Sequence, residues 1–345
     1  DILVVDDGST DATAEVVRTA FASEPRVKVF TKENGGKSSA LNFGYRNTDA
    51  DIIVAIDGDT VLEPDAIEHL TQPFKDPRIG AVAGNVIVGN QLNLMTRFQA
   101  LEYVTSQNLD RIAFEPFNAI CVVPGAIGAW RRKAVLEVGG YSDDNLAEDA
   151  DLTVRLALSG WRIVSRPEAR ALTEAPEALH AFLKQRFRWM FGMLQVAYKH
   201  KSAPFLHPTG VSLICIPNIL IFQFGFTLLA PFMDAILFWT LLMALGSVFG
   251  ITNAPIENLT FIAAYWVVFQ TIDVSAAAAG IYFNGERRYW RLLPLVLLQR
   301  FTYRQLLYWT ASKVLLAALR GVLVGWGRLA RSGNVQLPSS RSVRV

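Results

Sequence analysis

With 345 residues, 51% of them hydrophobic and 19% charged, the chain is too apolar for an ordinary soluble enzyme and too charged for a protein lying wholly inside a bilayer. Its net charge of +2 conceals a split, because residues 1–178 hold 27 Asp and Glu against 17 Lys and Arg (net −10) while residues 179–345 hold 4 against 16 (net +12). An acidic first half with no basic stripe argues against nucleic-acid binding, and two distant cysteines, Cys121 and Cys215, argue against a disulfide framework or a cysteine zinc site.

The chain opens inside an apolar run, and residues 2–5 read as a strand ending in Asp6-Asp7-Gly8-Ser9. The start within a strand, without Met, reads as a fragment whose N-terminal portion is missing. Residues 11–21 have helical spacing, with Thr10 or Asp11 as N-cap. A second strand over 27–30, a second helix over 37–46 and a third strand over 52–56 follow, the last running into Asp57-Gly58-Asp59. Alternating strands and helices predict an α/β domain with a mostly parallel sheet and helices on both faces. Ligands in such sheets collect at the C-terminal ends of the strands, which puts Asp6-Asp7 and Asp57-Gly58-Asp59 in one cleft.

Further along, residues 81–88 predict a strand, 91–111 a helix, 119–130 a strand-like stretch around Pro124-Gly125, 150–158 a helix and 161–165 a short last strand. From 179 the pattern changes. Residues 179–200 interleave Phe182, Phe187, Trp189 and Leu194 with Lys184, Arg186, Arg188 and Lys199, a basic amphipathic helix suited to a membrane surface. Apolar runs follow over 211–230, 235–249 and 261–283, and a fourth over 292–324 is interrupted by Arg300, Arg304, Lys313 and Arg320. The first and third are long enough to span a bilayer. Lys199 and Lys201 before the first, and Arg287, Arg288 and Arg291 after the third, both favour the cytoplasmic side, which three crossings cannot satisfy. The expected domains are therefore 1–178 (catalytic), 179–203 (interfacial helix), 204–325 (transmembrane and interfacial helices) and 326–345 (a basic flexible tail).

Several motifs carry chemistry, and each also has a plainer account. Asp57 and Asp59 at a strand end offer two carboxylates to a hard cation such as Mg²⁺, which completes its shell with phosphate and water; the plainer account is a polar turn. Asp6 and Asp7 suit either a strand-to-helix turn with a cap or acceptance of a uracil imide N–H. Gly35-Gly36-Lys37-Ser38 fails as a P-loop, because position 31 is Thr where that motif needs Gly. Lys37 can still reach a diphosphate, or it is a surface lysine near a helix start. Glu148-Asp149 suits helix capping or a general base deprotonating a sugar hydroxyl. Gln185, Arg188 and Trp189 are interfacial anchors or a pyrophosphate grip with a platform for an acceptor sugar ring.

Taken together and in this order, Asp6/Asp7, Asp57/Asp59, Glu148-Asp149 and Gln185-Arg186-Phe187-Arg188-Trp189 resemble the signature of processive, inverting family-2 glycosyltransferases. Those comprise cellulose, chitin and hyaluronan synthases and, most similar here, bacterial poly-β-1,6-N-acetylglucosamine synthases. The stretch 123–132, with Gly125, also resembles the acceptor-side loop of the last group, and the match runs from Asp1 to about Lys201. The resemblance implies a nucleotide-diphospho-sugar transferase (GT-A-like) fold and a membrane-bound enzyme. Its donor would be a UDP-sugar, with UDP-N-acetylglucosamine expected, used with Mg²⁺ or Mn²⁺ to extend a β-linked polysaccharide in one inverting displacement coupled to export. It further implies that Asp6, Asp7, Lys37 and Asp57 hold the nucleotide, Asp57 and Asp59 the metal, and Asp149 acts as base. Gly125, Glu148, Gln185, Arg188 and Trp189 would lie at the acceptor end and cover the site. Implied partners are the donor, the glycan, a bilayer and an accessory membrane subunit, at a bacterial plasma membrane with the catalytic domain cytoplasmic. The chain departs from many members in carrying Ala147 where they have Thr. The rival expectations are transfer of one sugar to a lipid-phosphate carrier, whose enzymes usually lack Gln-X-X-Arg-Trp, and a non-catalytic nucleotide-binding membrane component.

Overall fold

The computed structural model describes residues 1–321 except 254, 256 and 286; the expected tail at 326–345 lies outside the described residues. The first strand, β1 (Ile2–Asp6), leads through Gly8, whose φ of +76° places it in the left-handed region, to helix α1 (Thr13–Ala20). The N-cap of α1 is Ala12 rather than Thr10 or Asp11, although Asp11 Oδ1 still accepts the Thr13 N–H at 3.0 Å. Strand β2 (Val27–Thr31) pairs in parallel with β1, and helix α2 (Lys37–Arg46) follows.

Strand β3 (Ile52–Ala55), the two-residue β4 (Val61–Leu62), helix α3 (Ala66–Thr71) and strand β5 (Ile79–Val88) come next. Helix α4 (Leu94–Glu102) opens with a capping box in which Asn93 and Thr96 each bond the other's backbone N–H. It continues through a π-helical stretch, Tyr103–Asn108, into α5 (Leu109–Phe114). Strand β6 (Gly128–Arg131), helices α6 (Arg132–Glu137) and α7 (Glu148–Leu158), and strand β7 (Arg162–Thr173) complete the sheet.

The main sheet has the order β3-β6-β5-β7-β4, and only β5 with β7 is parallel. The expectation of a mostly parallel sheet is thus corrected to a mixed one. No helix separates β3 from β4, and β6, entered from the α4–α5 excursion, runs antiparallel between β3 and β5. Two local expectations change as well. The stretch 119–127 is a loop, with the strand confined to Gly128–Arg131, since Pro124 has no N–H to donate to a ladder. Conversely β7 runs past Pro167 to Thr173, because the pairing with β5 shifts register there and Asn85 Nδ2 donates to the Pro167 carbonyl at 3.0 Å.

All of β5 is buried, and its alternation feeds two cores. Ala81 and Ala83 face one side with Trp130, Leu152, Leu156 and Phe191, while Val82 packs in the other core with Leu70, Leu101 and Val164. Beyond the register shift at Ala83/Asn85, both Val86 and Ile87 join that second core. Both cores recruit residues from the C-terminal half.

That half begins with α8 (Leu179–Lys199) and the short α9 (Ala203–Leu206). An apolar helix then runs from Val211 to Val248, its last part being α10 (Thr227–Val248). Helices α11 (Glu257–Phe283), α12 (Leu295–Gln299) and α13 (Tyr303–Leu319) follow. Two helices among the described residues, Val211–Val248 and Leu259–Phe283, are long and apolar enough to cross a membrane. The runs expected separately at 211–230 and 235–249 are one helix. The interval between the two runs, with Pro231 and Asp234, is helical, and Asp234 accepts Arg300 Nε at 2.9 Å and Gln305 Nε2 at 2.9 Å.

Val211 to Val248 also carries Cys215 to within a Cα–Cα distance of 5.5 Å of Cys121, and the two form a disulfide. The sequence separation of 94 had argued against pairing; packing of the helix start against the 119–127 loop overrides it.

Candidate active site

Four segments meet at the C-terminal ends of β1 and β3. Asp6 closes β1, and its Oδ1 accepts the Ser9 N–H at 3.1 Å. The Asp7 carboxylate accepts Lys32 Nζ at 2.6 Å and the backbone N–H groups of Gly35 at 3.0 Å and Gly36 at 2.7 Å. Asp7 therefore fastens the 32–36 loop, and through it the first turn of α2, where Lys37 sits.

The Lys37 ammonium bridges two motifs, lying 2.6 Å from Asp57 Oδ1 and 3.5 Å from Glu148 Oε1. Burial works against its charge, but the carboxylates of Asp57, Glu148 and Asp149 outweigh it and hold the lysine above its ordinary pKa. Glu148 opens α7 and is only 3% exposed; burial, reinforced by Asp149 and opposed by Lys37, pushes its carboxyl up to about 7.

Asp149, half-buried, is held from both sides. Its Oδ2 accepts the Gly125 N–H at 3.2 Å and its Oδ1 the Ala150 N–H at 2.8 Å. The 119–127 loop passes close to Lys37 at Gly125: a Cβ there would come 2.6 Å from Lys37 Nζ, displacing the lysine's end, and 3.7 Å from Asp149 Oδ2, an ordinary contact. Thr153 secures the same loop, accepting the Val123 N–H at 2.9 Å and donating to the Asp149 carbonyl at 2.7 Å.

Asp57 and Asp59 flank Gly58 just beyond β3. Among the described residues no three His, Cys, Asp or Glu side chains gather into a metal cage. Two oxygen donors at an open strand end match a cation that takes one or two carboxylates and draws its remaining ligands from phosphate and water.

Helix α8 carries the third part of the site. It packs on the start of α7 so closely that a Cβ at Gly192 would lie 2.7 Å from the Ala147 nitrogen, and Gln195 Oε1 accepts the Leu146 N–H at 3.0 Å. Gln185 is 3% exposed, with its Oε1 buried and without a hydrogen-bond partner. Arg188 and Trp189 are half-buried, and the Trp189 ring lies 6.1 Å from that of Tyr103.

Sequence reasoning passed over several contributors. Lys32, beside the glycines, is the ionic partner of Asp7. Arg111, 4% exposed and pulled down to about 10 by burial, donates to Asn108 Oδ1 at 2.8 Å and to the Val122 carbonyl at 3.3 Å, bracing the loop below Asp149. Asp151 binds Arg155, Lys199 and His200 at 2.7, 3.1 and 3.0 Å, tying α7 to the end of α8. Only Lys32, within a run of polar and glycine residues, carried a local signal. The others depend on contacts between segments distant in sequence.

The fold has a known counterpart. The overall fold resembles a solved mannosyltransferase of Pyrobaculum calidifontis, in complex with GDP-Man and Mn²⁺, at a TM-score of 0.54 and 19% identity, covering 94% of this chain and 79% of that one. The architecture is thus GT-A-like. Residues 1–192 match the model for Glycosyltransferase like family 2, and the chain belongs to that family. Among its relatives are poly-β-1,6-N-acetyl-D-glucosamine synthases of Staphylococcus aureus (strain COL), 32% identical over 193 residues, and Staphylococcus epidermidis, 29% identical over the same length. Each alignment covers 56% of this chain and 47% of the relative, so the chain matches about half the length of these curated proteins.

Proposed function

We propose that this protein is a membrane-bound hexosyltransferase that extends a β-linked polysaccharide from a UDP-sugar, N-acetylglucosamine being the sugar in the names of its relatives. The observation that carries the reading is the junction of Lys37, Asp57, Glu148, Asp149 and Gly125, four sequence-distant segments converging on one half-exposed carboxylate. Asp149 is the base. Its carboxylate is oriented by two backbone N–H groups while remaining partly exposed, and it takes the proton of the acceptor hydroxyl as that oxygen attacks the anomeric carbon. Attack from the face opposite the leaving diphosphate inverts α to β.

Lys37 lies where a diphosphate's charge would be met, and Asp6 and Asp7 form the wall on the nucleotide side. Asp59, with Asp57, would hold Mg²⁺ or Mn²⁺, a cation that neutralises the leaving diphosphate when bound. Gln185, Arg188 and Trp189 hold the acceptor end, with Trp189 as the platform for a sugar ring. Holding donor and acceptor in line supplies much of the rate. The two long apolar helices support placement in a bilayer, with the nascent chain leaving beside them toward export.

The test uses the full chain in membranes, offered several UDP-sugars, with the product digested by linkage-specific hydrolases. Asp149→Asn is expected to abolish polymer while leaving donor binding intact. Continued synthesis by that variant would remove Asp149 from the role of base. A lipid-linked single sugar as the only product would replace polymerisation with the carrier-transfer reaction.

A further inference from the structure

Behind the acceptor-side motif lies a buried ionic unit that none of the roles above uses. Arg186 is 4% exposed on α8. Its Nη2 lies 2.8 Å from Glu102 Oε2 and its Nη1 donates to Glu102 Oε1 at 3.1 Å, a two-pronged pair with the last residue of α4. Nη2 also contacts the Tyr303 hydroxyl at 3.2 Å, and that hydroxyl donates to Glu102 Oε2. Three helices, α4, α8 and α13, therefore share one charge-centred knot.

The surroundings are aromatic. The guanidinium carbon lies 4.6 Å from the Trp189 ring centroid, 5.1 Å from that of Phe182 and 6.0 Å from that of Tyr103. The Tyr303 ring stacks on Phe98 at 5.4 Å and meets Phe182 at 5.2 Å. Phe182, Arg186 and Trp189 fall on one helical face by their spacing of four and three. An apolar side chain could fill this space without the desolvation cost of a buried ion pair. What an apolar residue lacks is direction: the planar guanidinium fixes Glu102 on its edge and the indole on its face.

We infer that Glu102, Arg186 and Tyr303 form a positioning unit that fixes the Trp189 indole for the acceptor sugar and ties that orientation to helix α13. The inference rests on the reading of Trp189 as the acceptor platform. Arg186 touches neither donor nor acceptor in this arrangement. It acts through Trp189, and α13, which lies beyond the long apolar helices in sequence, thereby bears on the catalytic end of α8.

The test compares Arg186→Lys, Tyr303→Phe and wild type as full chains, by kinetics and by hydrogen exchange. Arg186→Lys keeps the charge but cannot bridge Glu102 and Tyr303 while lying on the indole, so turnover is expected to fall about tenfold or more with donor KM within about twofold of wild type. Tyr303→Phe keeps the rings and loses one hydroxyl, and a fall of about threefold is expected. In both variants amides 185–192 should exchange faster while amides 148–158 exchange as in wild type. Wild-type turnover and exchange in Arg186→Lys would overturn the proposal. So would a parallel rise in exchange over 148–158 with a raised donor KM, which would make the knot a general support of the fold. If wild type transfers no sugar from any donor, the glycosyltransferase reading fails, and the exchange pattern still decides whether Arg186 holds the Trp189 segment.

Discussion

The Gly125 amide donates to Asp149 Oδ2 at 3.2 Å, and the same glycine leaves so little room that a methyl group there would lie 2.6 Å from Lys37 Nζ. One backbone position thus bears on both the orientation of the proposed base and the place of the Lys37 ammonium. Gly125→Ala is expected to lower turnover by about a hundredfold, the scale associated with displacing reacting groups by about 1 Å. The melting temperature should move little, because the loop remains pinned by Val123 to Thr153. Initial rates and thermal melts of the purified full chain check both.

Gly192 tests the contact between α8 and the start of α7. In an open helix Gly→Ala would stabilise by about 1 kcal/mol. Here the new Cβ would lie 2.7 Å from the Ala147 nitrogen and 2.8 Å from its Cβ, and overpacking of this kind costs about 1–3 kcal/mol. The steric term wins, so Gly192→Ala is expected to melt earlier than wild type and to lose turnover as α7 shifts under Asp149.

Asp151 predicts a pH dependence. Burial alone would raise its carboxyl, but His200, Arg155 and Lys199 overcome that and hold its pKa well below the ordinary 3.8. Below 3.8 the unfolded chain therefore binds more protons at this position than the folded one, and stability there rises with pH. The contribution is fully present above 3.8 and is lost as pH falls toward the folded value. Asp151→Asn should flatten this acid limb and cost about 1.5–3 kcal/mol at neutral pH, because Arg155, Lys199 and His200 lose the buried carboxylate they share. Denaturant melts between pH 2 and 7 give both quantities.

The joining of two expected apolar runs into one helix predicts the topology. If Val211–Val248 and Leu259–Phe283 both cross a bilayer, the chain returns to its starting side, and Lys199 and Lys201 would lie on the same side as Arg287, Arg288 and Arg291. A topology reporter inserted at residue 252 is expected on the face opposite the catalytic domain, and one at residue 285 on the same face. Both reporters on one face would mean that only one of these helices crosses.

Much of this could be read in the chain itself. Helix α2 begins and ends where the spacing predicts, β1 and β2 extend one residue beyond their predicted ends, and Asp57-Gly58-Asp59 follows β3. These are local matters, settled by hydrophobic period, turn residues and strand ends within a few residues of one another. The same locality made the acidic and aromatic motifs legible, along with their order and the change of charge near residue 178.

Tertiary structure decided what depends on distant partners. Asp234 lies inside a long apolar helix, where Arg300 and Gln305 meet its charge. Cys121 and Cys215 pair because the long apolar helix packs against the 119–127 loop. Asp7 proved to be a fastening for the 32–36 loop, and Arg186, silent between two recognised residues of its motif, proved to be the centre of a three-helix knot. A carboxylate or guanidinium in the sequence states only its charge. Which partner meets that charge out of water, and so what the group does, is set by the long-range packing that brings the partner to it.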